Sequence, residues 1–137
     1  MIINTTTAYA LRALLFMASK YPEMVAAREV VIQLHIPDKY VRRLMTRLSK
    51  AGLIASHQGR SGGYFFLKPP AEINLMDILA AMNDTSVMHN CILGFVSCSD
   101  DNPCALHMYW AEQRNKLMDM FQSFTLSQLL DNPNIKL

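Results

Sequence analysis

The segment Asp38–Ala51 is sharply two-faced, and few settings other than the surface of a small domain accommodate such a helix. At 100° per residue, Val41, Leu44, Met45 and Leu48 fall within an arc of about 100°, while Lys39, Arg42, Arg43, Arg47 and Lys50 occupy the opposite side with no acid interrupting them. One flank buries and the other presses cations outward. The segment before it, near Ala27 to Leu34, has apolar positions Val30, Val31 and Leu34, and His35-Ile36-Pro37 breaks the periodicity between the two. Helix, short turn, helix is the pattern of a helix-turn-helix, whose second helix lies in a DNA major groove. A solvated surface helix would show the same alternation, so the residues that follow decide between the two readings.

Ile54-Ala55-Ser56-His57-Gln58 and Tyr64-Phe65-Phe66-Leu67 are strand-like runs separated by Gly59-Arg60-Ser61-Gly62-Gly63. Those glycines permit the positive backbone angles of a tight hairpin. A basic helix followed by such a hairpin reads as a winged helix-turn-helix. Arg60 at the tip suits either a narrow minor groove or a phosphate. The candidate DNA contacts are Arg28, Lys39, Tyr40, Arg42, Arg43, Arg47, Lys50 and Arg60. Charge separation agrees with this assignment: residues 1–70 hold ten Lys/Arg against three Asp/Glu, a balance of +7, and residues 71–137 hold three against eight, a balance of −5.

The remaining elements are helical. Tyr9, Leu11, Leu14, Leu15 and Ala18 give an apolar face to a first helix over about residues 5–20, which the Thr5-Thr6-Thr7 run is able to cap and Pro22 ends. Asn74 is an N-cap for a fourth helix ending near Met82, Asp77 stands at its third position, and Ile73 and Ile78 form a staple. From Leu106 to Phe124 a stripe of Leu106, Tyr109, Trp110, Gln113, Leu117, Met120, Phe121 and Phe124 lines one side of about 30 Å of helix. Too little chain remains to cover it. The dimerisation residues expected are Leu106, Tyr109, Trp110, Leu117, Met120, Phe121 and Phe124, packed against the same helix of a second copy, with packing on the first helix as the intrachain alternative. A short helix over Leu126–Leu130 precedes the Pro133 tail.

Cys91, Cys98 and Cys104 are the chain's only cysteines, and they fall within fourteen residues with His107 close behind. An odd count in a reducing compartment argues for metal ligation or redox chemistry over a disulfide framework. Asn102 and Pro103 read as N-cap and first residue of the last long helix, which would set Cys104 in its first turn, where the dipole favours a thiolate. Three thiolates and an imidazole could bind zinc, but zinc ligands come in closer pairs; x6 and x5 spacings can wrap an iron–sulfur cluster. Free thiols without metal, and a surface role for His107, are the plainer alternatives.

Together these residues resemble the Rrf-type winged-helix transcriptional regulators, a family with IscR-like and NsrR-like members. The resemblance rests on Tyr9-Ala10-Leu11-Arg12-Ala13-Leu14, Leu48-Ser49-Lys50-Ala51-Gly52-Leu53-Ile54, Gly59-Arg60-Ser61-Gly62-Gly63-Tyr64 and the three-cysteine loop, and it covers nearly the whole chain. It implies a homodimer with crossed C-terminal helices, two winged domains reading a promoter palindrome, and a cluster on Cys91, Cys98 and Cys104. His107 matches the position where IscR-like members supply a histidine ligand to [2Fe–2S]. Ala8 stands where NsrR-like members with [4Fe–4S] carry an acidic residue, so [2Fe–2S] is favoured. The first cysteine spacing is one residue longer than the family's commonest pattern.

The expectation is therefore a mainly α fold with a small β-hairpin wing. A winged helix-turn-helix spans 1–83, a cluster-binding loop 84–104, and a dimerisation helix and tail 105–137. With 137 residues the chain can bury a core, and it has neither a membrane span nor a signal segment, so a cytoplasmic protein is expected. The function expected is a DNA-binding regulator, a repressor, controlled by an iron–sulfur cluster that senses cluster status, redox state or nitric oxide. A cluster-free thiol switch is one alternative and an iron–sulfur carrier or electron-transfer protein another. An enzyme is not expected, since no phosphate-cradling loop or nucleophile–base–acid set is present.

Overall fold

Six helices and one antiparallel hairpin build the chain in a computed structural model that describes residues 2–137. In order they are α1 (Thr5–Lys20), α2 (Ala27–Leu34), α3 (Asp38–Lys50), β1 (Ile54–His57), β2 (Gly63–Phe66), α4 (Leu75–Ala81), α5 (His107–Ser123) and α6 (Leu126–Leu129). This is the mainly α fold with a hairpin wing that the sequence implies. No helix is long and apolar enough to cross a membrane among the described residues.

The two-faced helix behaves as its spacing demands. Val41, Leu44, Met45 and Leu48 of α3 are buried, and Lys39, Arg42, Arg43, Arg47 and Lys50 are exposed. Burying each such side chain stabilises the fold by about 1.5–3 kcal/mol, an upper range because unfolded chains already hide some apolar surface. The turn between α2 and α3 closes on His35, which takes the left-handed region at φ 55°, and Pro37 stands immediately before α3, where a missing N–H costs nothing.

α1 departs from expectation in two ways. Its cap is Asn4 rather than a threonine: the Asn4 Oδ1 accepts from the Thr7 backbone N–H at 2.8 Å. Its buried face is Thr7, Ala10, Ala13, Leu14 and Met17, with Tyr9, Leu11, Leu15 and Ala18 only flanking the core. Small alanines let the neighbouring helices approach closely, so the deepest face is not the one with the largest side chains.

The hairpin pairs Ile54 with Phe66 and His57 with Gly63. Of the wing glycines only Gly59, at φ 113°, needs left-handed backbone. Gly62 and Gly63 are required for proximity instead: a Cβ on Gly62 would strike the His57 carbonyl oxygen, and one on Gly63 would lie 2.8 Å from the Val25 carbonyl oxygen. That second approach is itself structural. Val25 and Tyr64 exchange backbone hydrogen bonds of 2.9 and 2.8 Å, so the α1–α2 link adds a rung to the wing.

α4 starts with the reciprocal cap expected of Asn74 and Asp77, at 2.9 and 3.0 Å, and Ile73 and Ile78 are fully buried beside it. Backbone bonds Leu75 N–H to Phe124 carbonyl (3.2 Å) and Leu126 N–H to Ile73 carbonyl (2.9 Å) tie the start of α4 to the start of α6. One apolar core thus runs from α1–α4 and β1 to Phe121 of α5 and Leu126 of α6.

α5 begins later than the sequence suggests. Its first residue is His107, after Leu106, and Asn102 is instead paired with Ser99 through reciprocal backbone bonds of 3.3 and 3.1 Å. Cys104 therefore precedes the helix rather than sitting in its first turn, and the expected dipole effect on its thiol does not apply.

Candidate metal centre and nucleic-acid interface

The three cysteines converge. Their sulfurs all lie within 4.8 Å of one another, and Cys91 Sγ is 3.6 Å from Cys104 Sγ. His107, the first residue of α5, turns its Nδ1 to Cys98 Sγ at 3.2 Å and its Nε2 to the Asp100 carboxylate at 2.8 Å. The four candidate ligands are half-buried around a cavity of about 240 Å³, lined also by His89, Asp100, Trp110 and Arg114.

Local backbone explains the convergence. The Gly94 N–H bonds to the Cys91 carbonyl at 3.0 Å with Gly94 at φ 80°, which folds the segment after the first cysteine back on itself. The Ser99–Asn102 pairing folds it again between the second and third, and the His107 N–H closes on the Cys104 carbonyl at 3.1 Å. Trp110 Nε1 donates to the Asn90 carbonyl at 3.3 Å, fastening the segment's start to α5.

The thiols are unequal. Desolvation opposes the Cys91 thiolate, but backbone N–H groups of Phe95 and Leu93 and the neighbouring thiols outweigh it, lowering Cys91 from 9.0 to about 7. Cys98 moves upward: the Cys104 backbone favours its thiolate, but desolvation and the two adjacent sulfurs oppose it. Cys91 is thus the readier thiolate of this pair.

The donor set fits iron or zinc. Two thiolates on one tetrahedral centre with bonds of about 2.3 Å stand about 3.8 Å apart, close to the 3.6 Å between Cys91 and Cys104. Soft sulfur with one imidazole suits iron–sulfur chemistry and zinc alike, and disfavours hard cations.

Five of the eight candidate DNA contacts line two adjoining grooves along α2, α3 and the wing. Arg28, Arg42, His57, Arg60 and Tyr64 line a groove of about 240 Å³ between the start of α2 and the hairpin. Lys39, Arg42 and Arg43 flank an adjoining groove with Asp38 and Thr46. Two of the cations are already engaged. The Arg42 Nε donates to Asp38 at 2.7 Å, so one acid does interrupt the basic side of α3. Arg47 Nη2 donates to the Met82 carbonyl at 2.7 Å, at the end of α4. Tyr40 also turns inward, its hydroxyl donating to Thr6 Oγ1 at 2.9 Å and its ring set edge-on to Tyr9. Lys50 is exposed at the end of α3.

The stripe on α5 divides. Phe121 is buried and Leu117 packs beside the core, and Trp110 is half-buried on the cysteine segment. Leu106, Tyr109, Met120 and Phe124 stay exposed, Tyr109 at 73%. The intrachain contacts of this face are with α4 and the turn Ser86–Met88, not chiefly with α1.

Sequence reasoning missed Asp100 and Arg114. Arg114 was accessible, being seven residues from His107 and so on the same helical face. Nothing in the spacing singles out Asp100.

Comparison with known proteins accords with this geometry. The model of the Rrf2 family, described as iron-dependent transcriptional regulator, matches residues 3–132. An HTH-type transcriptional regulator of Aquifex aeolicus is 32% identical over 96% of this chain and 92% of its own. The HTH-type transcriptional regulator IscR of Pectobacterium atrosepticum is 29% identical over 93% of this chain and 77% of its own. In fold, the chain is similar to CymR, the global cysteine regulator of B. subtilis, with a TM-score of 0.77 and 23% identity over 93% of this chain and 94% of that one.

Proposed function

This chain belongs to the Rrf2 family of transcriptional regulators, and we propose that it represses transcription from a palindromic promoter site as a homodimer whose grip on DNA is governed by an iron–sulfur cluster. Its kin are regulators rather than enzymes, which also argues against a carrier role. In this reading residues 1–83 read DNA, 84–104 carry the cluster, 105–137 join two copies, and the protein works in the cytoplasm.

The observation that carries the reading is the donor group: three sulfurs within 4.8 Å of one another, with His107 Nδ1 3.2 Å from Cys98 Sγ. Thiolates are the usual ligands of iron–sulfur clusters, and an imidazole beside them is a donor that [2Fe–2S] centres accept. When bound, such a cluster supplies iron–thiolate bonds that oxidants, nitric oxide or iron shortage can break. The exposed Leu106, Tyr109, Met120 and Phe124 are an apolar face that a second α5 would cover. Arg28, Lys39, Arg43, Lys50 and Arg60 make no ion pair or side-chain hydrogen bond among the described residues and are open to phosphates and groove edges.

Coupling has a short physical route. The cysteine segment leads off from residues 82–84, where the Met82 carbonyl holds Arg47 of α3 and the Asp84 carboxylate accepts the N–H of Asn4, the cap of α1, at 2.8 Å. Movement of that segment bears on both helices at once. Half-sites stand about 34 Å apart per helical turn, so a small change in the spacing of two α3 helices weakens several contacts together. Coupling of about 1–3 kcal/mol changes affinity about 5- to 150-fold.

The test is anaerobic isolation, iron and sulfide analysis, and promoter binding by the wild type and a C91S/C98S/C104S variant. The expected result is acid-labile sulfide in the wild type and binding that differs about 5- to 150-fold between the two. Protein free of sulfide, with promoter binding unaltered by the three serines, overturns the reading. One distance favours a second reading: at 3.6 Å, Cys91 and Cys104 are near enough to form a disulfide, passing two electrons and two protons to a peroxide. Colourless protein with a reversible Cys91–Cys104 bond supports that thiol switch.

A further inference from the structure

His107 is held at both ring nitrogens, and the two partners differ in what they accept. Nε2 meets the Asp100 carboxylate at 2.8 Å, and Nδ1 meets Cys98 Sγ at 3.2 Å, within the ring of three sulfurs. A carboxylate accepts hydrogen bonds, so Nε2 carries the proton and donates it. In the neutral ring the Nδ1 lone pair is then directed at the cysteines. Asp100 is presented by the Ser99–Asn102 turn, closed by its two backbone bonds, and the His107 side chain is only 12% exposed. The ring therefore has little room to reorient.

We infer that Asp100 is a positioning residue: it fixes the His107 tautomer and orientation so that the imidazole meets a metal centre through Nδ1, the nitrogen nearer its own backbone. Outer carboxylates on ligating histidines orient the ring and strengthen it as a donor, and their loss costs about 10- to 100-fold in metal affinity. The Asp100 carboxylate is 99% exposed, so water competes for its bond and the effect falls at the low end, about 10-fold. Asp101, beside it, makes no side-chain bond among those of the described residues and is the internal control. The inference rests on the proposed metal-binding role of the cysteine site.

The probe is cobalt(II), titrated into reduced, metal-free full-length protein against a competing chelator and followed by thiolate-to-metal absorption. D100A should bind about 10-fold more weakly, D100N, which keeps an acceptor oxygen, should recover most of the loss, and D101A should match wild type. In metal-free protein with ¹⁵N-labelled histidine, long-range proton–nitrogen spectra should give His107 protonated on Nε2 with Nδ1 bare, and the D100A substitution should speed exchange of that proton with water. If H107A weakens cobalt binding and D100A does not, or if Nδ1 carries the proton, the positioning role is overturned while the metal site stands. If H107A is also silent, His107 is no ligand and the inference falls with it. If the C91S/C98S/C104S variant binds cobalt as well as wild type, the metal-binding reading fails.

Discussion

The winged region and the cysteine segment are built on opposite principles. From α1 to β1, Ala10, Ala13, Leu14, Val30, Val41, Met45, Leu48 and Ile54 are each at most 1% exposed. From His89 to Leu106 not one residue is buried, and Ile92, Leu93, Phe95 and Val96 face solvent, Val96 completely. Close packing makes the first region resist deformation. The second is held by turns, one tryptophan bond and a histidine, and a bound group can re-set such contacts at small cost. The proposed roles fit that contrast, since a DNA-reading surface works best when rigid and a sensing segment needs alternatives.

Substitutions in each region test that contrast. The largest effect is expected in the reader's core: Leu48→Ala should lower unfolding free energy by about 2–5 kcal/mol in urea titrations, and a loss below about 1 kcal/mol would mean the region is not packed as described. Arg47→Ala tests the junction of the two regions. A residue that serves only as a phosphate contact is silent in the absence of DNA, but loss of its bond to the Met82 carbonyl should cost about 1–2 kcal/mol in the free protein. The smallest effect belongs to the cysteine segment: Phe95→Ser and Val96→Ser should each shift stability of the metal-free protein by no more than about 0.5 kcal/mol. A thermal-melt loss much larger than that would reveal a hidden core in the segment.

How far the sequence could be read follows the same divide. α2, α3, the wing and the α4 cap were legible because apolar spacing, Pro37, the glycines and the Asn74–Asp77 pair act over a few residues and point the same way. The start of α5 was not. Asn102-Pro103 carries a good local signal for a helix start, but Ser99 claims both backbone groups of Asn102 for a turn. Periodicity likewise found the α5 stripe without telling which part of its arc the chain would cover itself, since that depends on where α4 lies. The three cysteines and His107 were candidates by residue type, by their clustering and spacing, and by the family resemblance. That Asp100 holds His107, that Arg47 reaches Met82 and that Tyr40 turns toward Thr6 are consequences of tertiary placement that no spacing encodes.

The double backbone bond between Val25 and Tyr64 has a bearing on how a signal can be expressed. It rivets the base of the hairpin to the same link that launches α2, so those two parts shift as one piece. In the proposed dimer, regulation would then act on the phase between two such pieces rather than within either.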